Sequence, residues 1–375
     1  MDLIELRQEV KKIVLNSGAK LFGVGSKERL KDAPPSGDME YCLPGAQSCI
    51  IWAYPNDLEA LENYFSKKER MSIKISQDIG YATGWKTALK IAEFIEINSK
   101  YKAFPVIPNG KYRGGVKSIA KDGEAFPDFS LRYGGVSAGL GHIGWSGNLV
   151  TSEYGGSIYL DGVITTAPFT PDPMAEVNNC NECKICQKVC TTGYVSKDEP
   201  EDRKPVIIGG IKQVYGKRGL YMKCGFGCAG YTGLSIDEKW SIWSPNHICL
   251  KSIPDEDWNK EFIREMLSKL VSSNETPKTI LRFNQTIAVS FGKVGRTENV
   301  GLRPIEDTNP RCGNCNFICV ADPKKRTELY NMLKNSGKVF LDKKNREFVK
   351  KIDKKGENII YYPPTWEEYL KNKEV

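Results

Sequence analysis

Four cysteines crowd into the stretch CNECKICQKVC, at Cys180, Cys183, Cys186 and Cys190. Thiolates are soft ligands that suit zinc, copper(I) or iron–sulfur clusters, so the spacing has to decide between them. The spacing here is C-x2-C-x2-C-x3-C. In that run three cysteines hold one [4Fe–4S] cube and the fourth ligates a second cube. Two-residue steps let the backbone wrap tightly around three irons, and the three-residue step turns the last thiolate away.

A second cube demands cysteines elsewhere, and CGNCNFIC supplies Cys312, Cys315 and Cys319. Crossing the ligands assigns Cys180, Cys183, Cys186 and Cys319 to one cube. Cys190, Cys312 and Cys315 then hold the other and need a fourth thiol. Cys224 is the first choice, followed by Cys228 and Cys249. Two zinc knuckles are the competing reading, but zinc sites seldom use four thiolates at 2-2-3 spacing in one run. Thr191 and Val320 follow Cys190 and Cys319 where bacterial ferredoxins usually carry proline, a change that removes no ligand. Cys42 and Cys49 read as buried apolar residues. Only two histidines, His142 and His247, are present, which leaves little material for zinc catalysis or a facial-triad iron site.

The surrounding chain is that of a globular protein of 375 residues, 40% hydrophobic and 27% charged. Its apolar runs are far shorter than the roughly 20 residues of a membrane span. The first residues alternate charge with apolar side chains in a helical pattern unlike a secretory leader, so a cytoplasmic protein without membrane contact is expected, its thiols reduced rather than paired in disulfides. The net charge is +8, and residues 321–375 hold 14 Lys and Arg against 9 Asp and Glu. The mixed-sign run DKKNREFVKKIDKK (342–355) reads as a solvated face, with an RNA-contacting tail as the alternative.

Elements must position these cysteines. Leu3, Leu6, Val10, Ile13 and Val14 recur at helical spacing before Gly18, a C-cap candidate. KLFGVG (20–25), SCIIWAYP (48–55) and AFPVIP (103–108) read as strands, with a helix over 87–99. GGSIYLDGVITTAP (155–168) is rich in β-branched residues, with Asp161-Gly162 as a turn or bulge. FTPDPM (169–174) reads as a linker. A helix is expected over 257–273, a strand over 286–291, and one C-terminal helix followed by a turn-rich YYPPTWEEY (361–369).

RYGGVSAGLGHIGWSGN (132–148) fits G-x-G-x-x-G at Gly139, Gly141 and Gly144, yet no clean strand precedes it and no acidic partner follows. A structural turn is as reasonable as a nucleotide loop. With the 2-2-3 cysteine run, the later C-x2-C-x3-C and the early LPGAQSCIIWAYP (43–55), however, the segment resembles the epoxyqueuosine reductase and reductive dehalogenase superfamily. The resemblance covers most of residues 1–190 and about 312–340. The middle of roughly 120 residues is longer than that resemblance would lead one to expect.

The resemblance implies an α/β (α+β) nitroreductase-like corrinoid-binding domain over 1–172. A bacterial ferredoxin-like module for two [4Fe–4S] clusters would occupy 173–340, interrupted by a large insertion at about 195–308, with a basic extension over 341–375. It implies a base-off cobalamin, approached by Gly139, Leu140, Gly141, Gly144 and Ser146. Neither histidine sits in D-x-H-x-x-G, in keeping with no protein ligand below cobalt. The proton donor would come from just before the glycine segment, where PDFSLRYGG offers Asp128, Arg132 and Tyr133: Tyr133 first, Asp128 second, with the segment GKYRGG (Lys111, Tyr112, Arg113) supplying the cation. The expected activity is reductive cleavage of a carbon–halogen or carbon–oxygen bond in a small molecule, fed by a low-potential donor such as ferredoxin or flavodoxin. The alternatives are epoxyqueuosine reduction in tRNA and a non-catalytic redox partner that reduces a corrinoid protein.

Overall fold

The computed structural model describes residues 1–106, 108, 113, 127–197, 205–228, 230–248, 250, 253, 258, 309–353 and 355–373, the side chains of 78, 79 and 222 excepted. The helix expected over 257–273, the strand over 286–291, Lys111, Tyr112 and Cys249 lie outside the described residues.

Helix α1 (Leu3–Asn16) starts where Asp2 accepts the amides of Ile4 and Glu5, both at 2.8 Å. Leu6, Val10 and Val14 are its buried stripe, and Gly18 follows the C-cap with φ +93°. Strands β1 (Leu21–Ser26), β2 (Ser48–Pro55), β3 (Ala103–Val106) and β6 (Ile158–Thr165) form an antiparallel sheet in the order β1-β2-β6-β3. Because both faces of β2 are covered, it reads as one apolar run. Ile50, Trp52 and Tyr54 enter the core under α1, α3 (Leu58–Ser66) and α4 (Met71–Asn98). Cys49, Ile51 and Ala53 enter the core under α5 (Leu131–Ser137).

Asp161-Gly162 is no turn: the pair lies inside β6, opposite Trp52 and Ile51. Gly162 is needed because Ile51, Leu131 and the Ile50 backbone press on its Cα. Asp161 is fully buried against α4, where a Cβ on Gly84 would collide with its carboxyl. Both of its oxygens lack a hydrogen-bond partner among the described residues.

The glycine-rich segment becomes α5, which Ser130 caps, and a short hairpin of β4 (His142–Ile143) and β5 (Leu149–Val150). Beyond the first cysteine run lie α6 (Ile185–Lys188), the hairpin β7 (Pro205–Ile208) and β8 (Ile211–Val214), and α7 (Tyr221–Cys228). Helices α8 (Asn314–Phe317) and α9 (Pro323–Lys334) follow the second run. The C-terminal stretch departs from expectation. The charged run read as a solvated face supplies β10 (Glu347–Ile352) of a sheet ordered β11-β10-β9, with β9 (Lys338–Leu341) and β11 (Asn358–Tyr361). The turn-rich segment ends in α10 (Trp366–Lys371), closed by a capping box between Thr365 and Glu368. One apolar core runs from α1 through Phe317 to Val339 and Val349. Among the described residues no helix is long and apolar enough to cross a membrane.

Burial holds the Asp161 carboxyl well above its ordinary value. In the unfolded chain the acid ionises at that ordinary value, so its contribution favours folding at low pH and is lost as pH rises toward the folded-state value. Asp161→Asn should therefore melt a few degrees higher than the parent at pH 8, with the gap closing near pH 4. Parallel melting curves at both pH values would contradict this account.

Candidate iron–sulfur centres and the tyrosine–arginine cluster

Three contacts bring the second cysteine run onto the start of β6. Gly156 N–H donates to the Cys319 carbonyl at 2.6 Å. Ser157 Oγ donates to the Phe317 carbonyl at 3.2 Å, and Asn316 Nδ2 donates to the Ile158 carbonyl at 3.1 Å. Asn314 joins the two runs directly, its Nδ2 donating to the Val189 carbonyl at 3.3 Å. Within the first run Glu182 and Lys184 adopt left-handed backbone (φ +51° and +56°), which closes the loop between Cys180 and Cys186.

The structure gathers Cys180, Cys183, Cys186 and Cys319 around one cavity of about 340 Å³, mouth included, with Lys184 and Arg326 on its wall. Trp145 N–H donates to Cys180 Sγ at 3.2 Å. Such amide donors and nearby cations are what the anionic sulfurs of a cube require. The Cys319 thiol is pushed up to about 11 by burial, with Arg326 pulling it back. Burial raises Cys186 further, with Cys315 of the other ring and Cys319, Cys180 and Cys183 adding to the effect. The two rings are therefore electrostatic neighbours.

The second ring joins Cys190, Cys312 and Cys315 to α7. Burial raises the Cys224 thiol most, then the fields of Cys228, Cys315, Cys190 and Cys312. Cys312 is raised by burial too, and feels Cys228, Cys315 and Cys190. Cys224 and Cys228 stand one helical turn apart on one face of α7, so five thiols surround a four-ligand position. Cys315 receives Asn148 Nδ2 at 3.7 Å, and Arg132 and Arg218 offset the burial that raises it. Thiols lining a cavity at the first ring, and mutually close thiols with an amide and two cationic neighbours at the second, suit the cubes that the spacing implies. Among the described residues no cluster of His, Cys, Asp or Glu converges on a single ion-sized point.

The five residues expected at a corrinoid sit differently. Gly139 (φ +76°) packs on the Pro173 carbonyl and Gly141 on the Val150 carbonyl, so their missing Cβ atoms admit the protein's own backbone. Gly144 meets the Val150 side chain and Cys180, and Leu140 leans on Gly23. Ser146 lines the first cysteine cavity. Gly141, Gly144 and Ser146 are buried, and the β7–β8 hairpin lies over them, Gln213 accepting the Ile143 amide at 3.0 Å. As arranged here these residues do not offer a surface to a macrocycle.

Of the candidate proton donors, Tyr133 is half-buried and lies in the field of Arg218. Asp128 offers its backbone carbonyl to Arg113 at 2.8 Å, and Arg113 also stacks 4.1 Å over Tyr41, away from Tyr133. Arg132 donates to the Gly147 carbonyl at 3.3 Å. Sequence reading missed Arg218, which no motif flags. This half-buried guanidinium fills the space over Gly147 and donates to the Ser146 carbonyl at 2.8 Å. It lies 4.8 Å over the Tyr215 ring, with the Tyr194 hydroxyl at 3.5 Å. Burial opposes its charge, but Tyr194, Tyr215 and Tyr133 hold it above its ordinary value.

Two thiol rings, one of them beside a tyrosine–arginine cluster, define the class of site: a pair of candidate iron–sulfur centres leading to a polar end. Relatives carry the chain toward particular enzymes. No protein-family model matches it. An epoxyqueuosine reductase of Bacillus anthracis is 35% identical over 92 residues, which span 24% of this chain and 23% of that protein. The chain thus matches less than a quarter of that curated relative's length. Among solved structures, a catabolic reductive dehalogenase superposes with a TM-score of 0.44 at 15% identity, covering 76% of this chain and 36% of that one. An epoxyqueuosine reductase solved with a modified tRNA stem loop gives 0.38 at 17% identity over 87% and 85%. The curated relatives' name, epoxyqueuosine reductase, is one of the two in the superfamily that the cysteine runs and the glycine segment resemble.

Reconstituted protein should carry roughly eight irons per chain, two cubes of four. Cys319→Ser and Cys224→Ser should each lower that count by about half, whereas Cys228→Ser should keep it. Iron analysis of the three variants checks the assignment, and a full count in Cys319→Ser would refute the crossed ligands. Because buried thiols lose protons to bind iron, reconstitution at constant pH should release acid.

Proposed function

We propose that the chain is a two-cluster iron–sulfur reductase of the epoxyqueuosine reductase kind, with epoxyqueuosine in tRNA as its substrate. The carrying observation is the pairing of the rings with Tyr133 and Arg218. Bound cubes would move single electrons, and removing an epoxide oxygen takes two electrons and two protons. The small-molecule dehalogenation favoured on sequence grounds gives way, because the curated relatives carry the name epoxyqueuosine reductase. The ferredoxin-like module and the three-domain division belong to this proposal as well.

The chain's own residues divide the work. Cys183 is exposed, so the first ring presents an edge to an electron donor such as ferredoxin or flavodoxin. Burial raises the thiols of Cys312 and Cys315 in the second ring, which sits beside Arg132 and Arg218. Arg218 orients Tyr133 and balances negative charge arriving there, and the Tyr133 hydroxyl is placed to give up a proton. The family resemblance supplies cobalamin as the electron acceptor. Gly139 and Gly141 pack on the protein's own backbone, which leaves Tyr133 and Arg132, both half-buried, as the residues that would face such an acceptor.

Anaerobically reduced protein, with and without added cobalamin, should remove the epoxide from tRNA carrying epoxyqueuosine, as read by nucleoside mass spectrometry. Tyr133→Phe should cut that rate by about 10²-fold or more while iron content and visible spectrum stay intact. No loss of the epoxide by wild-type protein under either condition would sink the proposal.

A further inference from the structure

The C-terminal sheet has one face in the core and one outside. Val339 and Val349 are buried in the core, and Tyr361, opposite Val349, packs beside them. Alternation sends Lys338, Phe340, Phe348, Lys350, Ile352 and Ile360 to the outer face. There Phe340 and Phe348 stack at 5.6 Å and 25°, and Tyr362 continues the row 5.9 Å from Phe348. The Arg346 guanidinium lies 5.0 Å over the Tyr362 ring. Tyr362, Ile360 and Ile352 are 47%, 57% and 70% exposed, large values for side chains of this type.

On the outer face of the strands themselves the only charged side chains are lysines. Lys338 and Lys350 face each other across β9 and β10, and Lys343, Lys344 and Lys355 are exposed in the hairpin turns. The carboxylates sit at the turns and the rim rather than on the face. Asp342 and Asp353 accept turn amides at 2.8 to 2.9 Å, Asp342 also accepts the Tyr362 hydroxyl, and Glu347 pairs with buried Arg70 at 3.1 Å. Glu368 holds Arg346 at 3.2 Å on the rim, and Glu357 lies in the β10–β11 turn. His247 meets Phe340 edge-on at 4.8 Å and closes that end. The open end is Tyr362.

We propose that this outer face docks single-stranded RNA, a base stacking on Tyr362 at the end of the aromatic row while Lys350, Lys338 and Arg346 contact phosphates. A polyanion with flat, unpaired bases matches both halves of the surface: aromatic faces accept any base, and lysines neutralise the backbone. An acidic protein would match only the charge. The inference rests on the reading of tRNA as substrate and gives it a docking surface outside the cysteine centres.

The test is fluorescence anisotropy of a labelled, unmodified anticodon stem-loop RNA titrated with full-length reconstituted protein. Tyr362→Ala should weaken binding about tenfold through lost stacking. Lys350→Glu, an exposed change that leaves packing alone, should weaken it comparably and lower the salt dependence of log K by about one to two. Lys12→Glu on α1 is the control and should bind as wild type. Unchanged affinity in both face variants overturns the proposal. So does slower cluster reduction by ferredoxin with RNA affinity intact, which would give the face to a protein partner. Weakened RNA binding in a protein that never removes the epoxide would support the face and defeat the substrate reading; normal epoxide removal with unchanged binding would do the reverse.

Discussion

The junction between Gly156 and Cys319 is the constraint on which the rest depends. Cys319 is far in sequence from Cys186, and the first ring closes only where the second run meets the start of β6. β6 is the strand that β2 and β3 both grip, so the rigidity of the main sheet passes directly to the thiols. Ser157 and Asn316 hold the same junction from either side. A long segment can intervene between the two runs because the closing contacts are made by the runs themselves, and loop closure grows only slowly more costly with length.

From that junction the electrostatics follow. Burial makes the thiols of Cys186, Cys224, Cys312, Cys315 and Cys319 reluctant to ionise, and neighbouring thiols add to the effect at Cys186, Cys224 and Cys312. Cations are placed where thiolate charge would accumulate: Lys184 and Arg326 at the first ring, Arg132 and Arg218 at the second. Arg218 serves twice, since it also organises Tyr194, Tyr215 and Tyr133. Under the proposed function, that double use would link the cysteine centres to the candidate proton donor through one half-buried side chain.

Parts of this were legible in the sequence. SCIIWAYP reads as a strand and is one, covered on both faces, and the first stripe of α1 falls on Leu6, Val10 and Val14. The spacing of the cysteine runs led to the grouping of Cys319 with Cys180, Cys183 and Cys186, and these four do line one cavity. The C-terminal sheet stayed hidden because its alternation sets lysines between Phe348, Val349 and Ile352, so hydrophobicity alone shows no period. Asp161-Gly162 looked like a turn because the close approach of α4 and of Ile51 that explains the pair is tertiary. The glycines of 139–144 carried a ligand-binding look for a similar reason: sequence shows that a Cβ is forbidden, not whether a cofactor or the chain's own carbonyl forbids it.

The exposed position of Cys183 has a cost besides its use. An edge open to a donor protein, as proposed, would be open to dioxygen as well, and a solvent-facing sulfur is where oxidative disassembly of such a centre would begin. The second ring, shielded by α7 and the arginines, would outlast it in air. Damage would thus run inward in the same order as the electrons, and a chain caught midway would keep its inner centre but lose its inlet.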